Sequence, residues 1–295
     1  MPDISLWNIC NNKCVMCTNP KEYSNANPQG NYDIKTQIKK LKLYIKGINV
    51  YNSNSDKKNY INITGGEPTL HPDFLRFITY LRKELHEIPI TLLTNGRSFS
   101  NEKFLTKFVS VANPPFTVAV SFHSYDKKTF EKITGIKNSY EQTVSGIKNI
   151  ALKFKGELEI RIVIHKLNIK DLDKTILFLK DFLLGYKNWR ITIIHYEIEG
   201  ISEKNKRKIY LKLSESAQKI YSIKDILKGV NLRLYHFPLC VLNKDLRKYA
   251  WITLPKDERI YTDKCKGCKL KKKCLGLMKR YYELYGDSEL KTIRE

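Results

Sequence analysis

Three cysteines near the start of the chain have the types and spacing needed for metal chemistry. Cys10, Cys14 and Cys17 form a C-x3-C-x2-C run directly after the apolar segment Ile4 to Trp7. Thiolates at this spacing can bind three irons of a cubane cluster, which leaves the fourth iron without a protein ligand. Clusters that only transfer electrons normally have four cysteine ligands, so an open iron indicates catalysis. On these residues alone, a zinc site or unrelated thiols is the alternative.

A second motif follows a short strand-like segment, Tyr60 to Thr64. It consists of Gly65, Gly66 and Glu67 before a proline. Glycine lets the backbone approach a ligand closely, and a carboxylate offers an anion to an ammonium group. In this order the two motifs resemble the radical SAM superfamily, whose GGEP turn binds the amino group of S-adenosylmethionine (SAM).

The resemblance implies the cofactors. The three cysteines would hold a [4Fe–4S] cluster whose open iron chelates the amino and carboxylate groups of SAM. One electron from the cluster would then cleave the sulfonium and yield a 5′-deoxyadenosyl radical. The residue before the third cysteine is usually aromatic in this family. Here it is Met16, whose apolar and adaptable side chain can pack near an adenine.

The composition of the chain argues against a membrane-spanning or secreted protein. With 295 residues and 42% hydrophobic content, the chain can fold as one large domain plus a small one. No apolar run approaches the ~20 residues that span a bilayer, and the first residues lack the features of a signal peptide. Seven cysteines without an export signal favour metal ligands over disulfides. We therefore expect a cytoplasmic protein with no membrane contact.

The chain is strongly basic, with a formal net charge of +23. Nucleic acid, an acidic peptide or a phosphorylated small molecule would all be attracted by this charge. Lys, Ile, Asn and Tyr are abundant together, however, so drift in composition explains the charge as well as a polyanionic substrate does.

Strand-like and helix-like segments alternate through residues 1–200, which predicts βα units with parallel strands. The resemblance implies an α/β fold with a partial (β/α)6 TIM-like barrel, followed by a small cysteine-rich cluster-binding domain in residues 201–295. The predicted strands are Ile4–Trp7, Tyr60–Thr64, Pro89–Thr94, Thr117–Phe122, Leu158–His165 and Ile191–Tyr196. The predicted helices are Ile34–Lys46, Phe74–Leu85, Asn101–Phe108, Tyr140–Phe154 and Asp171–Leu184, with a charged helical connector over Ser202–Lys228.

Polar side chains follow the carboxyl ends of the predicted strands, where chemistry gathers in such folds. The resemblance implies that Ser121 and Arg161 contact the SAM carboxylate and ribose, and Asn95 and His195 are further candidate cofactor contacts. Two-residue alternation places His165 on the same face as Arg161, and Glu197 on the same face as His195. These residues are candidates for the substrate cavity, although each histidine is equally well explained as a hydrogen-bonded structural residue.

A second cysteine group lies near the end of the chain. Cys265, Cys268 and Cys274 have C-x2-C-x5-C spacing, and Cys240 supplies a fourth thiol. The group resembles the auxiliary-cluster module of twitch and SPASM radical SAM enzymes and implies one further [4Fe–4S] cluster. A zinc site with four thiolate ligands is the alternative. The lysines around this group could stabilise a negative cluster, dock an anionic partner or form a solvated face.

Counting the ligands predicts the type of reaction. Three cysteines at one cluster and four at the other leave none free to return a hydrogen atom or carry a methyl group. A fully ligated auxiliary cluster can accept an electron, which favours oxidative bond formation with one SAM consumed per turnover.

The leading hypothesis is modification of a ribosomally made peptide. It calls for a separate peptide-recognition protein or direct recognition of the substrate, and for a flavodoxin- or ferredoxin-type electron donor. The alternative is modification of a nucleotide or RNA, and a third hypothesis is a redox or zinc-binding interaction protein.

Overall fold

The computed structural model describes residues 3–19, 32–48, 50–51 and 60–294. At its centre is an eight-stranded sheet in which each strand pairs in parallel with the next along the chain. The strands are β1 (Asp3–Trp7), β2 (Ile61–Gly65), β3 (Ile90–Thr94), β4 (Phe116–Ser121), β5 (Glu157–Ile164), β6 (Trp189–His195), β7 (Leu232–Tyr235) and β8 (Ala250–Trp251). The predicted α/β fold is confirmed, and the ends of the six predicted strands differ from those observed by at most two residues.

Helices connect the strands and cover the sheet. They are α1 (Ile34–Ile45), α2 (Phe74–Glu84), α3 (Glu102–Val111), α4 (Lys127–Thr134), α5 (Ser139–Lys153), α6 (Leu172–Phe182), α7 (Gly200–Lys204), α8 (Lys206–Ile209), α9 (Leu213–Ser222) and α10 (Lys279–Tyr285). A short antiparallel pair, β9 (Arg259–Ile260) and β10 (Leu277–Met278), lies near the second cysteine group. In the described part of the chain, no helix is both long enough and apolar enough to cross a membrane.

Two regions differ from the sequence prediction. Helix α4 was not predicted, although Asp126 caps its first turn by accepting a hydrogen bond from the Thr129 amide, and Gly135 ends it in the left-handed conformation. The connector predicted over Ser202–Lys228 is divided among α7, α8 and α9. The sheet also continues past residue 200, because β7 and β8 extend it beyond β6.

An aromatic cluster forms the core between the sheet and the helices α2 and α3. Phe108 is fully buried, and its ring lies 5.0 Å from the ring of Phe99 and 5.6 Å from those of Phe116 and Phe154, measured between centroids. Edge-on and tilted pairs of this kind add to the free energy gained by burying the rings. This packing fixes α3 against the strands that carry the candidate site.

Removal of the Phe108 ring should therefore destabilise the whole sheet. We expect Phe108→Ala to lower the free energy of unfolding by about 3–5 kcal/mol, because it leaves a cavity among packed rings. The control is Leu184→Ala, whose side chain is 80% exposed and which should cost no more than about 0.5 kcal/mol. Urea titration measures both, and equal losses in the two variants would contradict this account of the core.

Candidate functional site

The carboxyl ends of the strands surround one cavity of about 280 Å³. Parallel strands place these ends at the same edge of the sheet, so residues distant in sequence meet there. The predicted site residues that line the cavity are Cys10, Cys14, Met16, Cys17, Gly66, Glu67, Asn95, Ser121 and Arg161.

The segment that carries the first three cysteines, residues 10–17, is called the cysteine loop here, and segments from later in the chain hold it in place. The amide of Lys13 donates to Thr134 O at 2.7 Å, at the end of α4. On the other side, the Ser202 amide donates to Cys17 O and the Asn205 side-chain amide donates to Val15 O, both at 2.9 Å. These bonds fix the backbone that carries the thiols between α4 and α7.

The glycine turn after β2 packs directly against the same loop. The Gly66 amide donates to Trp7 O at 2.6 Å, and the Glu67 amide donates to Ile9 O at 2.7 Å. A Cβ atom at Gly66 would collide with the Ile9 carbonyl. The close approach of the two segments therefore requires glycine here, and it sets Cys10 beside the turn.

Glu67 uses its carboxylate to join strand ends. Its Oε1 accepts hydrogen bonds from the hydroxyls of Thr69 at 2.6 Å and Thr94 at 2.7 Å, and its Oε2 accepts one from the Asn95 amide at 2.7 Å. Burial raises the pKa of the Glu67 carboxyl, and these hydrogen bonds act in the opposite direction. The Glu67 side chain thus connects the turn after β2 to the end of β3, besides the contact with an ammonium group that the sequence predicts.

Asn95 and Arg97, just after β3, connect this turn to the cysteine loop. The Asn95 side-chain amide donates to Asn11 Oδ1 at 2.6 Å. The Arg97 guanidinium donates to Asn11 O at 2.5 Å and to Asn12 Oδ1 at 2.9 Å. Arg97 was missed in the sequence because nothing local marks it; its partners lie more than eighty residues earlier.

The three thiols are close enough to affect one another's titration. Burial and the Glu67 carboxylate raise the pKa of Cys10 to about 12, and burial also raises the pKa values of Cys14 and Cys17. Thiolates here would need a counter-charge, and the charges of bound iron would supply one. The Asn12 amide already donates to Cys10 Sγ at 3.3 Å, as a thiolate ligand would require. The residues present therefore fit an iron–sulfur cluster.

Ser121 and Arg161 lie on the neighbouring strands β4 and β5, where they are paired in register. The Arg161 guanidinium donates to Glu159 Oε1 at 2.6 Å, and Glu159 also pairs with Arg190. Burial raises the pKa of Glu159, but the two guanidinium groups outweigh burial and hold it at about 2. The Arg161 side chain thus lines the cavity while its positive charge is paired with the Glu159 carboxylate.

Two predicted cofactor contacts do not line the cavity. Gly65 lies behind the wall, packed against Trp7 O. His195 is fully buried, with its Nδ1 at 2.9 Å from Ser216 Oγ and its ring edge-on to Phe237 and Tyr281. Burial lowers the pKa of His195 to about 3, which keeps the ring neutral. The structure places His195 in the packing under α9, and the cofactor contact expected of it stays a prediction.

Three further titratable residues line the cavity: His123, Glu197 and His236. Glu197 was expected from the alternation in β6, whereas His236 was missed because it follows a strand, β7, that was not predicted. His165, a further candidate, is buried outside the cavity and accepts a hydrogen bond from the Leu167 amide at 3.2 Å.

The four late cysteines surround a second, smaller cavity beside β9 and β10: Cys240, Cys265, Cys268 and Cys274. Cys274 Sγ accepts hydrogen bonds from the Leu239 amide at 3.3 Å and the Gly276 amide at 3.4 Å. Burial, together with the neighbouring thiols, raises the pKa values of Cys240 and Cys274. Over the described ranges, no three His, Cys, Asp or Glu side chains are arranged to hold a single metal ion.

Comparison with known proteins identifies the family. The model of the radical SAM superfamily matches residues 4–179, which is more than half of the chain. The protein therefore belongs to the radical SAM superfamily, whose enzymes use a [4Fe–4S] cluster and SAM, and most residues that line the cavity described above fall within the matched range.

Its similar relatives are named for nucleotide chemistry. A probable GTP 3′,8-cyclase of Sulfurisphaera tokodaii is 29% identical over 175 residues, which cover 59% of this chain and 50% of that protein. The GTP 3′,8-cyclase of Pasteurella multocida is 26% identical over 179 residues, 60% of this chain and 49% of that protein. The chain spans about half the length of these curated relatives.

Solved structures with the same fold include a peptide-binding protein. Streptococcus suis SuiB bound to its precursor peptide SuiA has a TM-score of 0.58 at 17% identity, covering 78% of this chain and 47% of that one. A radical SAM methyltransferase from Sphaerobacter thermophilus has a TM-score of 0.52 at 12% identity, covering 81% of this chain and 66% of that one. These similarities concern the fold alone.

The bonds from Arg97 should determine how firmly the cysteine loop holds iron. We expect Arg97→Met to speed the loss of cluster iron to a chelator by about 10- to 100-fold, since hydrogen bonds to a charged group contribute about 1.5–3 kcal/mol. Arg76→Met, at an exposed position on α2, is the matched control. Iron release is followed by absorbance under anaerobic conditions. Equal rates in the two variants would show that the hydrogen bonds from Arg97 do not affect how firmly iron is held.

Proposed function

We propose that the protein is a radical SAM enzyme that modifies a ribosomally made peptide by oxidative crosslinking or a related reaction. In this proposal residues 1–200 are the radical SAM core, and residues 201–295 contain the connector and an auxiliary-cluster domain. Cys10, Cys14 and Cys17 hold the first [4Fe–4S] cluster. When bound, this cluster and SAM supply a 5′-deoxyadenosyl radical that abstracts hydrogen from the substrate.

The charge of the substrate cavity is the observation that carries the peptide proposal. Among the described residues that line it, Arg161 is the only lysine or arginine, and its guanidinium is already paired with Glu159. The cavity also contains the carboxyl group of Glu197, with Glu199 and Glu258 near it. A nucleoside triphosphate would need unpaired cations here, whereas a peptide side chain would not.

The protein's own side chains orient the cofactor and substrate in this proposal. Met16 packs near the adenine, and Gly66 presents backbone to the SAM amino group. Asn95 and Ser121 offer hydrogen bonds from the strand ends, while Arg161 faces the cofactor carboxylate. Met16 and Asn95 are buried, whereas Gly66, Ser121 and Arg161 are partly exposed.

Nucleotide modification is the second candidate function. It is supported by the names of the relatives and by the net charge of +23. Part of the excess positive charge lies on the surface, where Lys271, Lys272 and Lys273 are exposed. Surface charge attracts polyanions without placing cations in the cavity.

The second cysteine group is proposed to hold an auxiliary [4Fe–4S] cluster that accepts an electron from the substrate radical. The support comes from the convergence of four thiols on one cavity and the two amides that donate to Cys274 Sγ. Such amide donors stabilise thiolates bound to a cluster and tune its potential. A flavodoxin- or ferredoxin-type protein would supply the electron for SAM cleavage.

The two cysteine groups should be separable by mutation. Anaerobic reconstitution should load about eight irons per chain, and both Cys10→Ala and Cys274→Ala should retain about four. Cys10→Ala should lose SAM cleavage altogether. Cys274→Ala should still form 5′-deoxyadenosine but no longer complete the product, because the electron acceptor is damaged. One zinc in place of four irons at the second group would contradict the auxiliary-cluster proposal.

Substrate class can be tested directly with two probes. Wild-type enzyme, SAM and dithionite are incubated with a synthetic peptide encoded by a short reading frame beside the gene, or with GTP. We expect the peptide to lose a pair of hydrogen atoms for each SAM consumed and GTP to remain unchanged, with Cys10→Ala inactive on both. Conversion of GTP, or bound RNA whose affinity falls steeply with salt, would favour the second candidate function instead.

A further inference from the structure

Glu197 and His236 lie within hydrogen-bonding distance of one another at the edge of the cavity. Glu197 Oε1 lies 3.0 Å from His236 Nε2, and both residues line the cavity that the first three cysteines also line. The other ring nitrogen, Nδ1, lies 3.0 Å from His195 O. The His236 side chain is 8% exposed and that of Glu197 is 25% exposed, so the carboxyl retains an accessible edge toward the cavity.

The two hydrogen bonds determine where the protons are. A backbone carbonyl oxygen can only accept, so the Nδ1 of His236 must carry a hydrogen and donate to His195 O. In the neutral ring Nε2 is then an acceptor. Glu197 Oε1 lies at hydrogen-bonding distance from it, and two lone pairs would repel one another there. One proton is therefore shared between the Glu197 carboxyl and the His236 ring.

The surroundings favour the uncharged form of each partner. Burial raises the pKa of Glu197 to about 7 and lowers the pKa of His236 to about 4. Charged groups face the pair from several elements: Asp3 on β1, Arg161 on β5, and Glu199 and Glu258 beyond the pair. The shared proton accordingly lies on the carboxyl, which donates it to Nε2.

The backbone also singles out His236. Its φ of +69° lies in the left-handed region, which residues other than glycine seldom adopt. Strained positions of this kind are concentrated at functional sites. The loop that follows β7 carries both His236 and Cys240. One segment therefore supplies a histidine to the first cavity and a thiol to the second cysteine group.

We propose that Glu197 and His236 together accept the proton that the substrate releases during oxidative bond formation. This inference rests on the proposed function. After a hydrogen atom has been abstracted, a carbon radical remains on the substrate. Bond formation between that carbon and a neighbouring X–H group breaks the X–H bond and releases one proton and one electron. Cys240, Cys265, Cys268 and Cys274 would hold the oxidised auxiliary cluster of the proposed function, which would serve as the acceptor of the electron. The proton enters at Glu197 Oε2, while the shared proton moves from Oε1 to His236 Nε2.

Proton sharing can be tested without any substrate. Infrared difference spectroscopy on the cluster-loaded chain should show the C=O stretch of a protonated carboxyl that disappears as the pH rises through about 7. Glu258, whose pKa burial also raises to about 7, should give a similar band and serves as the control. We expect Glu197→Gln to remove one band, Glu258→Gln the other, and His236→Leu to shift only the band of Glu197. A spectrum unchanged by Glu197→Gln would overturn the inference.

The catalytic role needs a second measurement with the precursor peptide that the wild type modifies. In Glu197→Gln, 5′-deoxyadenosine should still form and should acquire deuterium from a labelled peptide. The product formed per 5′-deoxyadenosine should fall by about 100-fold or more, the usual contribution of a general base. Glu84→Gln, at an exposed position on α2, is the control and should retain the wild-type ratio. A ratio within about threefold of wild type in Glu197→Gln would refute the assignment.

The two measurements also separate this inference from the proposed function. If the wild type modifies no peptide, the function is wrong, and the infrared bands alone decide whether the pair holds a proton. If the peptide is modified equally well by Glu197→Gln, the function stands and the proton acceptor lies elsewhere.

Discussion

The buried carboxylate of Glu67 is the contact on which the rest of the site depends. A carboxylate removed from water must be compensated by hydrogen bonds, and here the compensating groups come from the turn after β2 and from the end of β3. Asn95, held by this carboxylate, in turn donates to the cysteine loop. One buried charge thus links the glycine turn, the third strand and the thiols, and sets the shape of the cavity wall.

Secondary-structure elements and motifs that are marked by neighbouring residues could be predicted from the sequence alone. Alternating and helical hydrophobic patterns gave the first six strands within one or two residues, because buried positions in a parallel sheet leave a strong mark on composition. Helix α4 carried its own signals, Asp126 at its start and Gly135 at its end, and could have been found by the same rules. The cysteine and glycine motifs were recognisable for the same reason, since their chemistry depends on close spacing.

Other parts of the site depend on contacts between distant residues and could not be predicted. Arg97 is an ordinary arginine in sequence, and only the folded chain places it against Asn11 and Asn12. His195 shares the alternation of β6 with Glu197, yet the approach of α9 and Phe237 encloses it. His236 could not be predicted as a site residue because it follows β7. That strand has four residues, which is too few for a periodic hydrophobic pattern.

The cysteine loop has supports on both sides, and those from α7 and the residue after it come from nearly two hundred positions further along the chain. During synthesis on the ribosome, the three thiols emerge long before Ser202 and Asn205 exist to fix their backbone. A cluster inserted at that time would sit on an incomplete scaffold open to oxygen and water. The backbone that would hold a cluster is therefore complete only when the chain has folded beyond the sixth strand.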